Sequence, residues 1–147
     1  MRIWSKVLIP VLPTRQLKSM RYELGDMIKQ YPKIKNSLVK YANNYPPKYL
    51  AQYFKIVCNE CEKRNIKMNH KYNTEIWNLW QMKTPFDDNG IPDNNCIFNE
   101  DNMRYLKQCL CNLQEKYDRG IITKEEWDRI INSDVMRNIN VETLLDW

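Results

Sequence analysis

The chain has 147 residues and a formal net charge of +5, which leaves room for one domain with a modest core and not for two. A hydrophobic content of 43% excludes disorder, and a total of three glycines excludes collagen-like, Gly-rich phosphate-loop and linker architectures. Charge is polarised along the chain: residues 1–71 hold 15 Lys and Arg against 4 Asp and Glu, and residues 72–147 hold 8 against 14, so the first half is suited to a polyanionic partner.

Residues 1–13 read as an extended arm, because Pro10 and Pro13 deny it helical continuity. Thr14 then reads as an N-cap. Leu17, Met20, Leu24, Met27, Ile28 and Tyr31 follow at helical spacing until Pro32 ends the run. Gly25 inside this helix costs about 1 kcal/mol relative to Ala, which points to close packing or a nearby ligand. Residues 33–45 are basic and aromatic, a short helix and a turn. Pro46 and Pro47 suit the first turn of a second long helix. Its stripe is Leu50, Phe54, Val57, Cys58 and Cys61, and it runs to about Arg64.

A third helix is expected around Thr74–Met82, and the Asp-, Asn- and Pro-rich segment Thr84–Phe98 reads as a loop. Asn99 is placed to cap a helix carrying Met103, Leu106, Leu110, Leu113 and Tyr117, with Gly120 closing it. Thr123-Lys124-Glu125-Glu126 is a capping box that opens a last helix with Trp127, Ile130 and Ile131. No stretch alternates with period two. The fold class is all-α, without an internal repeat.

Five cysteines, an odd number, with no secretion signal, point to free thiols in a reducing compartment. The run Val7-Leu8-Ile9 is too short for a signal sequence, and nothing approaches the 18 apolar residues that span a membrane. The expectation is a soluble cytoplasmic protein with no membrane partner. Cys58-x-x-Cys61 continues the apolar stripe of its helix and reads as structural thiols rather than a metal or redox pair. Cys109-x-Cys111 and the single histidine, His70, provide no zinc-like ligand set.

Glu23 sits three residues after Met20 and four before Met27, at the edge of an apolar stripe. Partial desolvation there raises a carboxylate's pKa and fits it for proton transfer. The alternative is a side chain that reaches solvent or pairs with Arg15, Lys18 or Arg21. The terminus is a second candidate. Arg2 is too large for ordinary removal of the initiator methionine, so Met1 is expected to keep an α-amine, whose pKa of about 7.7–8.0 leaves a nucleophilic fraction near pH 7. The Tyr-rich basic stretch from Lys29 to Lys55 could follow a phosphate backbone and stack bases, or be a solvated face.

These pieces fall in a familiar order. Met1-Arg2-Ile3-Trp4, Leu12-Pro13-x-x-Gln16-Leu17 and Glu23-Leu24 resemble the pyrimidine-dimer DNA glycosylase (phage-type endonuclease V) family. So do Pro47-Lys48-Tyr49-Leu50-x-Gln52-Tyr53, the Glu60-x-x-x-Lys63-Arg64-Asn65 helix end and, more loosely, Tyr105-Leu106-Lys107-x-Cys109-Leu110. The resemblance implies a compact, single-domain helical bundle over residues 1–147. Its N-terminal arm would thread between helices, and residues 121–147 would form a divergent helical extension.

The resemblance further implies a glycosylase with abasic-site lyase activity that needs no metal or cofactor. Met1 would supply the attacking amine, Glu23 the proton-handling carboxylate and Arg2 a phosphate contact. Its partner would be damaged duplex DNA, kinked and with a base flipped out. The substrate-binding candidates are Arg2, Arg15, Gln16, Arg21, Tyr22, Lys48, Tyr49 and Tyr53. Three positions depart from the family pattern. Tyr22 and Asp26 stand where the family has arginines, and Gln16 where it has histidine. Two lost positive charges weaken phosphate binding, and Arg21 points about 100° away from Tyr22. Two other readings therefore stand beside the enzyme. One is a non-catalytic protein that binds nucleic acid or sequesters a small signalling (cyclic) nucleotide. The other is an interaction protein whose acidic half docks a basic partner.

Overall fold

A computed structural model describes residues 3–84 and 91–137. Among these residues there are six α-helices and no strands: α1 (Thr14–Gln30), α2 (Lys48–Lys63), α3 (His70–Lys83), α4 (Met103–Asp118), α5 (Lys124–Ile131) and α6 (Asp134–Arg137). The fold is all-α, as expected. Met1, Arg2, the tip of the 84–98 loop and the end of the 121–147 extension lie outside the described residues. No described helix is long and apolar enough to cross a membrane.

α1 and α2 form the centre. Their apolar faces bury Leu17, Met20, Leu24, Met27 and Ile28 against Leu50, Phe54, Val57 and Cys61. Each such side chain contributes on the order of 1.5–3 kcal/mol when fully buried. α2 is buried on a wider arc than its predicted stripe, taking in Ala51, Gln52 and Tyr53, because the segment around Asn94, Phe98 and Asp101 packs on Gln52 and Tyr53 and the N-terminal arm also contacts the helix.

The arm is packed but not extended throughout. Lys6–Val11 winds into a short 3-10 helix with Pro10 inside it, and Ile3, Leu8, Ile9 and Leu12 are buried. Proline tolerates this because the missing N–H falls in a short turn where few intrahelical bonds are at stake. Arg64, at the end of α2, fixes the arm from below. Its guanidinium donates to the carbonyls of Leu12 (2.6 Å), Pro10 (3.0 Å) and Ile9 (3.2 Å), and its Nε lies 2.9 Å from Glu60.

Helix ends differ from expectation by small steps. Pro13, not Thr14, occupies the cap of α1, without a side-chain bond. Asn69 caps α3 by accepting from Tyr72 N–H, so that helix starts four residues earlier than its apolar pattern indicates. Asn102, not Asn99, caps α4. Gly120 has φ 76° just beyond α4, the left-handed geometry expected of a helix stop. The capping box at Thr123 and Glu126 is present on both sides.

Candidate active site

Four polar positions of α1, Arg15, Gln16, Ser19 and Glu23, recur at one- to four-residue steps and so share a face. Asn112, Glu115 and Lys116 do the same on α4, with Arg119 just past its end. The two faces oppose each other across a cavity of about 640 Å³, which Trp4 and Ile121 complete. Gln16 is nearly buried. Glu23 is half-buried, and its Oε2 is sealed from solvent. Arg15, Lys116 and Arg119 bring positive charge, against Glu23 and Glu115. Arg119 stands 3.6 Å from Glu115, both largely exposed, a pair that contributes little to stability.

Of the residues picked from sequence, Glu23, Arg15 and Gln16 meet at this cavity. Met1 and Arg2 lie outside the described residues. The others lie elsewhere. Arg21 is 3% exposed. It donates to Asn73 Oδ1 (2.9 Å) and the Asn69 carbonyl (3.1 Å), with its guanidinium over the Tyr22 and Tyr72 rings at 4.8 and 5.0 Å. It ties α1 to the start of α3. Tyr22 is half exposed and packs on Tyr72.

Lys48 opens α2, and Tyr49 packs on Tyr45 and Phe98. Tyr53 is fully buried, its ring against Phe98 and its hydroxyl donating to Asp101 at 2.7 Å. Burial and the nearby Asp101 carboxylate push that hydroxyl's pKa upward. Tyr41 and Tyr45 join the same aromatic cluster around Phe98, while Lys33, Lys35, Lys40 and Lys55 stay exposed. In the basic stretch, Tyr53 is in the core, the other tyrosine rings pack half-buried against it, and most lysines are surface.

The cavity residues that the sequence reading did not pick as site residues are Trp4, Ser19, Asn112, Glu115, Lys116, Arg119 and Ile121. On α4 the available signal was the polar stripe at 112, 115, 116 and 119, opposite the apolar one; nothing in it marks α1 as the facing helix. Among the described residues no three His, Cys, Asp or Glu side chains group as a metal site. Cys61 is buried and Cys58 half-buried, both free thiols. Burial pushes the Cys58 thiol up to about 12.

The family model described as pyrimidine dimer DNA glycosylase matches residues 1–74, the half that carries Trp4, Gln16 and Glu23. The chain belongs to the pyrimidine dimer DNA glycosylase family. No curated protein and no solved structure matches it. For a pyrimidine dimer DNA glycosylase the expected substrate is DNA, and the matched segment contributes the arm and α1 side of the cavity. The α4 wall lies outside that segment.

Proposed function

We propose that this protein is a DNA glycosylase with abasic-site lyase activity, acting on pyrimidine dimers or related damaged bases through the α-amine of Met1. One observation carries the reading: Glu23, with a carboxylate oxygen out of water, faces the same cavity as Trp4. Trp4 is three steps along the chain from the first residue, and three steps span at most about 11 Å. Covalent geometry thus limits how far the amine can lie from Trp4, and the reading puts it at Glu23. The cavity volume lies within the roughly 300–1,000 Å³ typical of small-molecule sites and accommodates a base drawn out of the helix.

In this mechanism the neutral amine attacks C1′ as the N-glycosidic bond breaks. The base leaves with that bond's electron pair and takes up a proton. Glu23 accepts the proton released by the amine, and opening of the sugar leaves an imine between the amine nitrogen and C1′. Glu23 then serves the loss of a C2′ proton, which expels the 3′ phosphate and cuts the strand. Arg15, Lys116 and Arg119 supply phosphate-attracting charge at the cavity, and Arg2 adds to it next to the amine.

Borohydride reduction in the presence of abasic or dimer-containing duplex should trap a covalent protein–DNA adduct. Glu23→Gln should fold normally and lose turnover by at least about a hundredfold, the usual weight of a proton-transfer group. Normal turnover by Glu23→Gln ends that assignment. Absence of any adduct while duplex binding persists removes the lyase step.

A non-catalytic reading is favoured by Tyr22 and Asp26, which stand where the family has arginines, and by a cavity volume that suits a free nucleotide. In that case mononucleotides or cyclic dinucleotides would raise the melting temperature, and damaged duplex would not.

A further inference from the structure

Beside the cavity, the N-terminal arm is held by two residues at the start of α4. Tyr105, on the first turns of α4, donates its hydroxyl to the carbonyl of Ile3. Asp101, just before α4, takes three hydrogen bonds. Ser5 Oγ donates to its Oδ1 at 2.7 Å, while Lys6 N–H (2.9 Å) and Tyr53 Oη (2.7 Å) donate to its Oδ2. The segment so held is buried: Ile3 is 1%, Trp4 8% and Ser5 2% exposed. Trp4, between the two anchors, is the arm residue that lines the Glu23 cavity.

Tyr105 and Asn112 lie seven residues apart on α4, two turns along one face or about 10.5 Å. One end of that face grips the arm and the other walls the cavity. Tyr53, fixed in the core of α2, orients the Asp101 carboxylate, so the arm is referenced to α2 and α4 together.

We propose that Asp101 and Tyr105 are positioning residues that hold residues 3–6 on the path delivering the terminal amine to Glu23. The inference rests on the imine mechanism proposed above. Without these bonds the arm near Trp4 loses its fixed direction, and a misplacement of about 1 Å at a reacting atom can cost on the order of a hundredfold in rate. Both residues lie outside the segment matched to the family, so the acidic half of the chain would set the aim of an amine that the basic half provides.

The test is single-turnover borohydride trapping of abasic duplex by the full chain carrying Asp101→Asn or Tyr105→Phe. Duplex should be saturating and the temperature well below each melting point. Affinity is measured separately on duplex containing a reduced, unreactive abasic site. The expected result is a rate of imine formation lower by about tenfold or more in each variant, with affinity for unreactive duplex changed less than about twofold. Ser5→Ala, which removes one of the three bonds to Asp101, should lie between these variants and the wild type.

Wild-type trapping rates in both variants would overturn the positioning role while leaving the imine mechanism standing. So would rates that fall only in step with melting temperature, since a purely structural loss recovers on cooling. If the unaltered protein traps no adduct, the mechanism itself fails and this inference falls with it.

Discussion

Gly25 shows how a single residue shapes the packing beside the candidate site. A β-carbon there would collide with Tyr72 Oη and stand 2.9 Å from its Cζ, so the glycine lets α3 approach α1 where Arg21 binds. The Tyr72 hydroxyl is buried over that gap with no hydrogen-bond partner among the described residues, and burial and nearby Asp26 raise its pKa. Gly25→Ala forces the ring away from Arg21 and should lower stability by about 1–3 kcal/mol, the ordinary range for overpacking. Tyr72→Phe removes a desolvated hydroxyl and should be neutral or stabilising by about 1 kcal/mol. In urea unfolding the double variant should recover part of the Gly25→Ala loss, because the two sites touch and are not additive. A double variant no better than Gly25→Ala alone would show that the clash lies elsewhere.

At the scale of elements the arm is the informative case, because hydrogen bonds to distant residues hold it where helical periodicity cannot. Arg64 binds three consecutive-turn carbonyls with one guanidinium, and Arg129 adds a contact to Pro10 at 3.3 Å. Arg64→Lys keeps the charge and loses the planar fork. It should cost about 2–3 kcal/mol, seen as a lower urea midpoint, since hydrogen bonds to charged groups are each worth roughly 1.5–3 kcal/mol and are not additive. An unchanged midpoint would mean that the arm is held without it. The helices were largely legible: α1, α2 and α4 carry apolar stripes at three- and four-residue steps, and the Thr123 box announces α5. The beginning of α3 was not, because Asn69 starts it with a side-chain bond while its first turn carries little apolar pattern. Glu23 was legible as a stripe-edge carboxylate. Its facing wall on α4 was hidden, as were the Asp101 and Tyr105 anchors, because spacing within a helix says nothing about which distant surface it meets. Arg21 and Tyr53 looked like ligand-facing polar residues in sequence and instead join the interior, which a hydroxyl or guanidinium can do once its hydrogen bonds are satisfied.

The whole molecule joins a basic half to an acidic one, and its interior holds several neutral thiols and phenols. Burial raises the pKa of Cys58 to about 12 and moves Cys61, Cys96, Tyr41 and Tyr53 upward as well. In each case the folded protein favours the protonated form more than the unfolded chain does. The stabilisation is therefore complete below the unfolded-state values, about 8.5 for a thiol and about 10 for a phenol, and is lost as pH rises beyond them. For Cys58 the window runs from about pH 9 to about pH 12, and within it each pH unit removes up to about 1.4 kcal/mol for one such group. Unfolding free energy measured in urea should therefore hold level from neutral pH to about 9 and then fall with increasing steepness as the tyrosines join. Cys58→Val keeps a side chain of similar size and removes one titrating group, so its alkaline slope should be shallower by close to one proton. A stability that stays level to about pH 11, or a Cys58→Val slope identical to that of the unaltered chain, would show that the Cys58 thiol ionises as freely in the folded protein as in water.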